Sequence, residues 1–144
     1  MIRVSTLAGL AGVAAVLIAS VAPAGAQAQA GKKWELTQEQ KARVAKLKNP
    51  VPAAKRAASV ANGKKLAATN CAPCHGPGGK GDGVAAAALP KKPADWTSRA
   101  VQQEADTSLF VKITDGNPPM PPWASVPESD RWDLVNYIKS LGKK

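Results

Sequence analysis

The chemistry of this chain is concentrated in five consecutive residues that contain both of its cysteines and its single histidine. Cys71 and Cys74 are separated by two residues, and His75 follows the second cysteine directly. Two thiols about one helical turn apart can add to the two vinyl groups of one haem, and the adjacent histidine is then held beneath the iron. The spacing therefore predicts a covalent haem c attachment site.

Three other interpretations of the same residues agree less well with the rest of the sequence. A disulfide between Cys71 and Cys74 would close a very short loop, which stabilises a fold little, and it would leave His75 unexplained. A thioredoxin-like redox pair belongs to a βαβ pattern, whereas the flanks here look helical before the pair and glycine-rich after it. A zinc site needs four ligands, or three with a water, and the chain has no further cysteine or histidine to supply them.

An iron held by His75 needs a donor on its other face, and methionine is the soft neutral side chain that remains. Met1 lies in an apolar leader, so Met120 is the internal candidate. Prolines on both sides of Met120 fix φ and remove backbone donors, which predicts a stiff, non-helical loop. A lone methionine in a loop is often only a gap-filler, but beside a haem site it predicts an axial ligand.

The first 30 residues have the composition of a secretory signal peptide. Arg3 precedes an uncharged, mostly apolar stretch over residues 4–21, and small residues with the spacing of a cleavage site follow it. Cleavage is expected after Ala26, Ala28 or Ala30. The alternative is an uncleaved membrane anchor, because about 18 apolar residues can just span a bilayer. Export and covalent haem attachment both predict a location outside the cytoplasm, in a bacterial periplasm.

The periodicity of the chain predicts helices and loops, with no alternation typical of a sheet. Residues 31–58 are expected to form a basic helical extension, with helix over residues 35–48, followed by a proline-rich linker. The domain that contains the haem motif is expected over residues 59–144, and its first helix is expected to run from residue 59 to about residue 70. Residues 76–83 are glycine-rich and are expected to be a loop, since glycine loses much entropy in a helix.

Two further helices are predicted in the second half of the chain. A short helix over residues 106–114 has Asp106 or Thr107 as its candidate N-cap. The last helix follows Ser125 and Glu128, which have capping-box spacing. Its apolar stripe is expected to pack in the core and consists of Trp132, Leu134, Val135, Tyr137, Ile138 and Leu141.

Positive charge is concentrated near the start of the expected mature chain. Residues 31–65 carry ten Lys/Arg against two Glu, whereas residues 66–144 carry nine against eight acidic residues. One interpretation is that this segment steers the protein to an acidic redox partner or to an anionic membrane surface. The other is a solvated helix whose lysines keep the protein soluble. Nucleic acid is not an expected partner of an exported protein.

From about residue 59 to residue 142, the chain resembles the class I mono-haem cytochromes c. The matching segments are residues 71–75, residues 81–83, residues 92–97, Met120 in its proline-rich loop and residues 131–138. The resemblance implies an all-α fold wrapped around one haem, with thioether bonds from Cys71 and Cys74 and with iron ligation by His75 and Met120. Among members of the family, the chain is similar to periplasmic carriers and to the small cytochrome subunits of bacterial terminal oxidases.

Two finer features follow from the resemblance alone. The first and last helices of the domain are expected to cross where Gly63 lets Leu134 and Tyr137 approach. A backbone carbonyl, from Pro90 or Pro93, is expected to accept the imidazole proton of the histidine ligand.

The predicted function follows from the ligands. An iron with histidine and methionine on its two faces has no vacancy for a substrate, and thioether ligation raises its potential. We therefore expect a single-electron carrier rather than an enzyme, with protein redox donors and acceptors as partners. The alternative is a haem subunit of a larger membrane-associated oxidase or dehydrogenase complex, with the extension as a docking arm. A ligand-binding or sensing haem protein would require Met120 to be absent from the iron.

Overall fold

The computed structural model describes residues 34–142, so the predicted signal peptide lies outside the described residues. The described chain is helical and contains no β-strand, which confirms the predicted all-α fold. Its α-helices are α1 (Gln38–Lys46), α2 (Arg56–Asn70), α3 (Ala72–His75), α4 (Arg99–Gln102), α5 (Asp106–Asp115) and α6 (Glu128–Ser140). Short 3-10 turns cover Ala53–Lys55 and Ala86–Ala88. Over residues 34–142, no helix combines the length and the hydropathy needed to cross a membrane.

α1 is shorter than the helix predicted over residues 35–48 because Thr37 caps it. The Thr37 hydroxyl accepts a hydrogen bond from Gln40 N at 3.2 Å, and Gln40 Oε1 accepts one from Thr37 N at 2.9 Å. This reciprocal pair is a capping box. No residue of α1 is fully buried, and the chain first reaches the hydrophobic core at Leu47, just after the helix.

Among the described helices, α2 and α6 pack against each other most extensively. A Cβ placed on Gly63 would overlap the backbone carbonyl of Asp133 and lie 2.9 Å from Cβ of Tyr137, so the two helices are in contact at this glycine. The predicted crossing and its contact with Tyr137 are confirmed, but the second residue that meets Gly63 is Asp133 and not Leu134. The Asp133 carboxylate adds hydrogen bonds, because it accepts from the buried Ser59 hydroxyl and from Asn62 Nδ2 at 2.7 Å. The crossing therefore combines close approach with paired polar groups.

The core lies between α2, α5 and α6. Phe110 of α5 stacks on Trp132 of α6, with ring centroids 4.1 Å apart and planes 16° from parallel. The guanidinium carbon of Arg131 lies 4.8 Å from the centre of the Phe110 ring. The apolar stripe predicted for the last helix is confirmed as core. The buried core residues are Ala67, Trp96, Val101, Leu109, Phe110, Ile113, Trp132, Leu134, Val135, Tyr137 and Ile138.

The predicted N-cap of α5 is wrong. Ala105 is the N-cap and makes no side-chain hydrogen bond to the helix end. Asp106 is already helical, and its carboxylate accepts a hydrogen bond from Asn49 Nδ2 at 2.8 Å instead of capping. Asn49, from a distant part of the sequence, thus binds the Asp106 side chain that the local spacing had assigned to the cap.

The capping box predicted for the last helix is also wrong. Pro127 is the N-cap of α6, without a side-chain cap. Glu128 begins the helix, and its Oε1 lies 3.4 Å from Trp132 Nε1, one turn further on. The carboxylate is therefore directed along the helix towards Trp132 rather than back towards Ser125.

The linker after α1 is fastened to α6 by the buried side chain of Asn136. Asn136 Oδ1 accepts hydrogen bonds from Asn49 Nδ2 at 2.8 Å and from the Arg56 guanidinium, and Asn136 Nδ2 donates to the Ser59 hydroxyl at 2.7 Å. Residues from Glu35 onward form one compact unit. The domain boundary at residue 59 stays a prediction.

Candidate haem site

The two cysteines and the histidine lie where α2 passes into the short helix α3. Cys71 is both the C-cap of α2 and the N-cap of α3. Its carbonyl accepts hydrogen bonds from Cys74 N at 3.1 Å and from His75 N at 2.8 Å, so the two cysteines are one turn apart and share a side of the helix. Both thiols are half-buried, and no disulfide joins them.

The protonation of Cys71 argues against a redox-active pair. Burial, and then the neighbouring Cys74, raise the pKa of the Cys71 thiol to about 11. Reactive cysteines have lowered pKa values, because the thiolate is the nucleophile and the metal ligand. A half-buried thiol with a raised pKa does not fit the nucleophilic cysteine of a thioredoxin-like pair.

The imidazole of His75 is oriented by a backbone carbonyl. Its Nδ1 lies 3.1 Å from Ala94 O, which assigns the proton to Nδ1 and leaves the lone pair of Nε2 available. Burial lowers the pKa of His75, although the hydrogen bond to Ala94 acts in the opposite direction. The ring is therefore neutral, which is the form that binds iron.

The predicted carbonyl partner of the imidazole, Pro90 or Pro93, is wrong. The carbonyl of Pro93 is turned towards Gly81, where an added Cβ would overlap it. Because this glycine has φ +71 and packs directly against Pro93, the next carbonyl in the chain, that of Ala94, is the one that faces His75.

Trp96 packs flat against the imidazole, a contact that the sequence motifs do not predict. The ring centroids of His75 and Trp96 are 4.4 Å apart, with planes 23° from parallel. Trp96 is 8 % exposed, and its backbone N–H donates to Gly79 O at 2.7 Å. Its ring and that of Tyr137 are nearly perpendicular, with centroids 6.4 Å apart. Gly79 has φ +70, and a Cβ there would overlap the indole. The only sequence signal was the position of this tryptophan in the segment 92–97.

The glycine-rich loop closes over the backbone of the cysteine motif. Gly81 N donates to His75 O at 2.9 Å, and Gly83 N donates to Cys74 O at 3.1 Å. A Cβ on Gly83 would overlap the carbonyl of Pro73, so glycine is required there for the close approach of two backbones. The loop predicted over residues 76–83 is confirmed, and it fixes the turn that carries the motif.

Met120 lies in the loop that follows α5, half-buried against the hydrophobic core. Asn117 and Met120 exchange two backbone hydrogen bonds, each of 2.9 Å. Trp123 N then donates to the carbonyls of Ile113 at 3.1 Å and of Thr114 at 3.2 Å, which returns the chain to the last turn of α5. These backbone hydrogen bonds therefore close the loop and fix both of its ends.

The structure brings Cys71, Cys74 and His75 into one turn and places Met120 on a separate loop. Cys71 and Met120 both pack against the same hydrophobic core. The donor set consists of two thiols, a neutral imidazole with Nε2 available and a thioether, and it fits a covalently attached haem and its iron. Across the described part of the chain, no three His, Cys, Asp or Glu side chains are grouped as a metal site of their own.

Known proteins resemble the chain over the region that contains this site. Residues 58–138 match the family described as cytochrome c oxidase, cbb3-type, subunit III. Cytochrome c6 of Cyanidioschyzon merolae is 27 % identical over 89 residues, which cover 61 % of this chain and 80 % of that protein. A chain of the reducing HAO-like protein complex of Kuenenia stuttgartiensis superposes with a TM-score of 0.57 and 29 % identity, covering 66 % of this chain; this chain spans 49 % of that one, about half its length. The region matched by the family contains all four candidate site residues and does not include α1.

Proposed function

We propose that this member of the class I c-type cytochromes is a periplasmic single-electron carrier whose iron is bound by His75 and Met120. Its membership rests on the match to the family described as cytochrome c oxidase, cbb3-type, subunit III. Proteins of this kind carry covalently bound haem c and act in electron transport, and so does this one. The observation that supports this ligation is the orientation of the His75 imidazole. Its Nδ1 donates to Ala94 O at 3.1 Å, which leaves Nε2 available to bind iron.

When bound, haem c supplies a one-electron iron couple. Cys71 and Cys74 would anchor it through thioether bonds, and the carbonyl of Ala94 would make His75 a more basic ligand by accepting the Nδ1 proton. The Met120 thioether would favour the ferrous state and raise the potential. With His75 and Met120 both bound to the iron, no position would remain open for a substrate, which supports an electron carrier rather than an enzyme.

The periplasmic location rests on the leader sequence and on the cofactor. Residues 1–30 have the signal-peptide pattern, with expected cleavage after Ala26, Ala28 or Ala30. Retention of the leader as a membrane anchor is the alternative, and it would leave the haem domain on the same side of the membrane.

The exposed lysines near the start of the compact unit support a role in partner docking. They lie on α1, on α2 and between them, and they are Lys41, Lys46, Lys48, Lys55, Lys64 and Lys65. A concentrated positive field speeds encounter with an acidic protein surface, and its effect falls with ionic strength. An acidic redox partner is the occupant that this charge favours, and an anionic membrane surface is the second.

A haem subunit of a larger membrane-associated oxidase or dehydrogenase complex is the second candidate function. It is favoured by the description of the matching family as an oxidase subunit and by the HAO-like complex among the similar structures. The two functions differ in how the native protein purifies: a carrier elutes alone, whereas a subunit elutes with its complex.

Replacing Met120 by alanine tests the proposed ligation. We expect the methionine-to-iron charge-transfer band of the ferric holoprotein to disappear, since alanine offers no donor atom. The reduction potential should fall by on the order of 0.2 V, within the span of about 0.8 V that axial ligands set. Absorption spectroscopy and a redox titration measure the two effects.

Pro122→Ala is the matched control, because it changes an exposed residue of the same loop, two positions after Met120, and leaves the thioether in place. It should keep the band. If the wild-type ferric protein lacks the band, or if its ferrous form binds carbon monoxide readily, Met120 is not an iron ligand and the carrier proposal is wrong.

Replacing Trp96 by leucine should change the orientation of the imidazole while haem stays attached. Leucine lacks the flat face that packs on His75 at 4.4 Å, so only the hydrogen bond to Ala94 would still restrain rotation of the ring about its bond to the iron. The g values of the ferric low-spin holoprotein, measured by electron paramagnetic resonance, should shift because they depend on the plane of the imidazole. Trp96→Phe keeps an aromatic face and should stay near the wild type. Identical spectra for the leucine variant and the wild type would mean that Trp96 does not orient His75.

A further inference from the structure

α1 is joined to the C-terminal end of α5 through the carboxylate of Asp115. Arg43 Nη1 lies 2.8 Å from Asp115 Oδ1 and 2.7 Å from Oδ2. Gln40 Nε2 donates to Asp115 Oδ2 at 2.9 Å. Two side chains, one turn apart on α1, therefore bind the same carboxylate, and hydrogen bonds to an ionised group are stronger than those between neutral groups.

Gln40 is held in position for this contact by the N-terminal cap of its own helix. Its Oε1 accepts the hydrogen bond from Thr37 N at 2.9 Å, while its Nε2 donates to Asp115 at 2.9 Å. One amide group thus closes the capping box and reaches the neighbouring helix, so little side-chain freedom is left to be lost when the contact forms.

Asp115 is the last residue of α5, and the loop that carries Met120 begins directly after it. Gly116, at φ +65, turns the chain so tightly that an added Cβ would lie 2.5 Å from Pro121 C and 2.7 Å from Met120 O. The loop closes through the paired backbone bonds of Asn117 and Met120. Whatever holds Asp115 in place therefore holds the start of the methionine loop.

Core burial does not explain why α1 packs against α5. No residue of α1 is fully buried, and the segment lies outside the region matched by the cytochrome family. Burial alone would raise the pKa of Asp115, but hydrogen bonds from Gln40 and Arg43 and the charges of Arg43 and Arg131 lower it overall. The carboxylate is consequently ionised, forms an ion pair with Arg43 of α1 and is further stabilised by the positive charge of Arg131 of α6.

We propose that α1 is a strap that fixes the end of α5 and so positions Met120, with Arg43 and Gln40 as its positioning residues. The extension then has a role within the redox domain in addition to any effect of its charge on partners. The strap itself acts on the backbone of the methionine loop, and its consequence for the iron rests on the proposed ligation by Met120.

Hydrogen exchange of the holoprotein tests the strap without relying on the iron. In Arg43→Ala, the amides of Asn117 and Met120 should exchange roughly tenfold faster, the factor expected when one hydrogen bond to a charged group is lost. Amides at the centre of α2 and α6 should keep their protection, which shows that the fold is intact. Asp115→Asn should accelerate the same loop amides, and Arg43→Lys should restore part of the protection.

The matched control is Lys41→Ala, which removes a positive charge from an exposed position of the same helix and should leave the loop amides unchanged. In the same samples, the methionine-to-iron band should disappear as the pH is raised, and it should do so at a lower pH in Arg43→Ala than in Lys41→Ala. If Arg43→Ala and Lys41→Ala give equal exchange in the loop, the strap is wrong. If the loop amides respond but the wild type has no methionine band, the strap stands as a loop contact and the ligation by Met120 is what fails.

Discussion

Replacing both motif cysteines by serine is expected to yield a protein without covalently bound haem. Cys71 and Cys74 are the two cysteines of the chain, so no other thiol can form a thioether bond. Serine has nearly the same size and keeps the turn in which Cys74 N and His75 N donate to Cys71 O, but a hydroxyl is a much weaker nucleophile than a thiol. Haem staining after denaturing electrophoresis should be negative, and the intact mass should be lower by one haem.

Ala72→Ser is the matched control for the double variant. It adds a hydroxyl to the same turn, at a half-buried position between the cysteines, and leaves both thiols in place. We expect full haem attachment in this control, which separates an effect of the thiols from an effect of the hydroxyl groups. A double variant that retains haem through denaturation would show that the two cysteines are not the attachment points.

Features that depend on neighbours in the sequence were predictable. The turn from Cys71 to His75 is local, and so its chemistry could be inferred from residue types and spacing. The buried stripe of α6, from Trp132 to Ile138, follows the helical period and is confirmed as core. The approach of α2 and α6 at Gly63, by contrast, was expected only from the resemblance to the class I cytochromes c, because residue types and spacing do not determine which helices cross.

Features that depend on the path of a loop were not predictable. The identity of the carbonyl that meets His75 depends on the conformation of the chain between Gly76 and Trp96, where glycines with positive φ set the direction. Those dihedral angles turn Pro93 O towards Gly81 and bring Ala94 O to the imidazole. The stacking of Trp96 on His75 arises in the same way, since it needs Gly79 to leave room for the indole.

Contacts between distant parts of the sequence were equally hidden. Arg43 and Asp115 are 72 residues apart, and the sequence of a charged helix such as α1 predicts only a solvated segment or a partner-docking segment. The same effect explains the wrong cap of α5, because Asn49 binds the Asp106 carboxylate from 57 residues away. Local propensity describes what a side chain can do, whereas tertiary packing determines which partner it meets.

Replacing Gly63 by alanine is expected to destabilise the holoprotein more than its small change in size indicates. Alanine is favoured over glycine in a helix by about 1 kcal/mol. The new Cβ would, however, overlap the Asp133 carbonyl and lie 2.9 Å from Cβ of Tyr137, and neither α2 nor α6 can yield without separating. Overpacking of this kind costs roughly 1–3 kcal/mol or more. Because the clash is with backbone, we expect the upper end, a net loss of about 2 kcal/mol in the free energy of unfolding.

Gly78→Ala is the matched control for this measurement, since the nearest atom to an added Cβ there is Lys80 Cγ at 3.9 Å. It should change the free energy of unfolding by less than about 0.5 kcal/mol, as exposed substitutions generally do. Guanidinium titration of the two holoproteins compares them, with the covalent haem retained in the folded and unfolded states. Equal midpoints would mean that α2 and α6 are not in backbone contact at Gly63. A lower midpoint for Gly63→Ala alone would show that the contact between α2 and α6 at Gly63 contributes to the stability of the haem domain. Ser59 and Asn62 also bind the Asp133 carboxylate at this crossing.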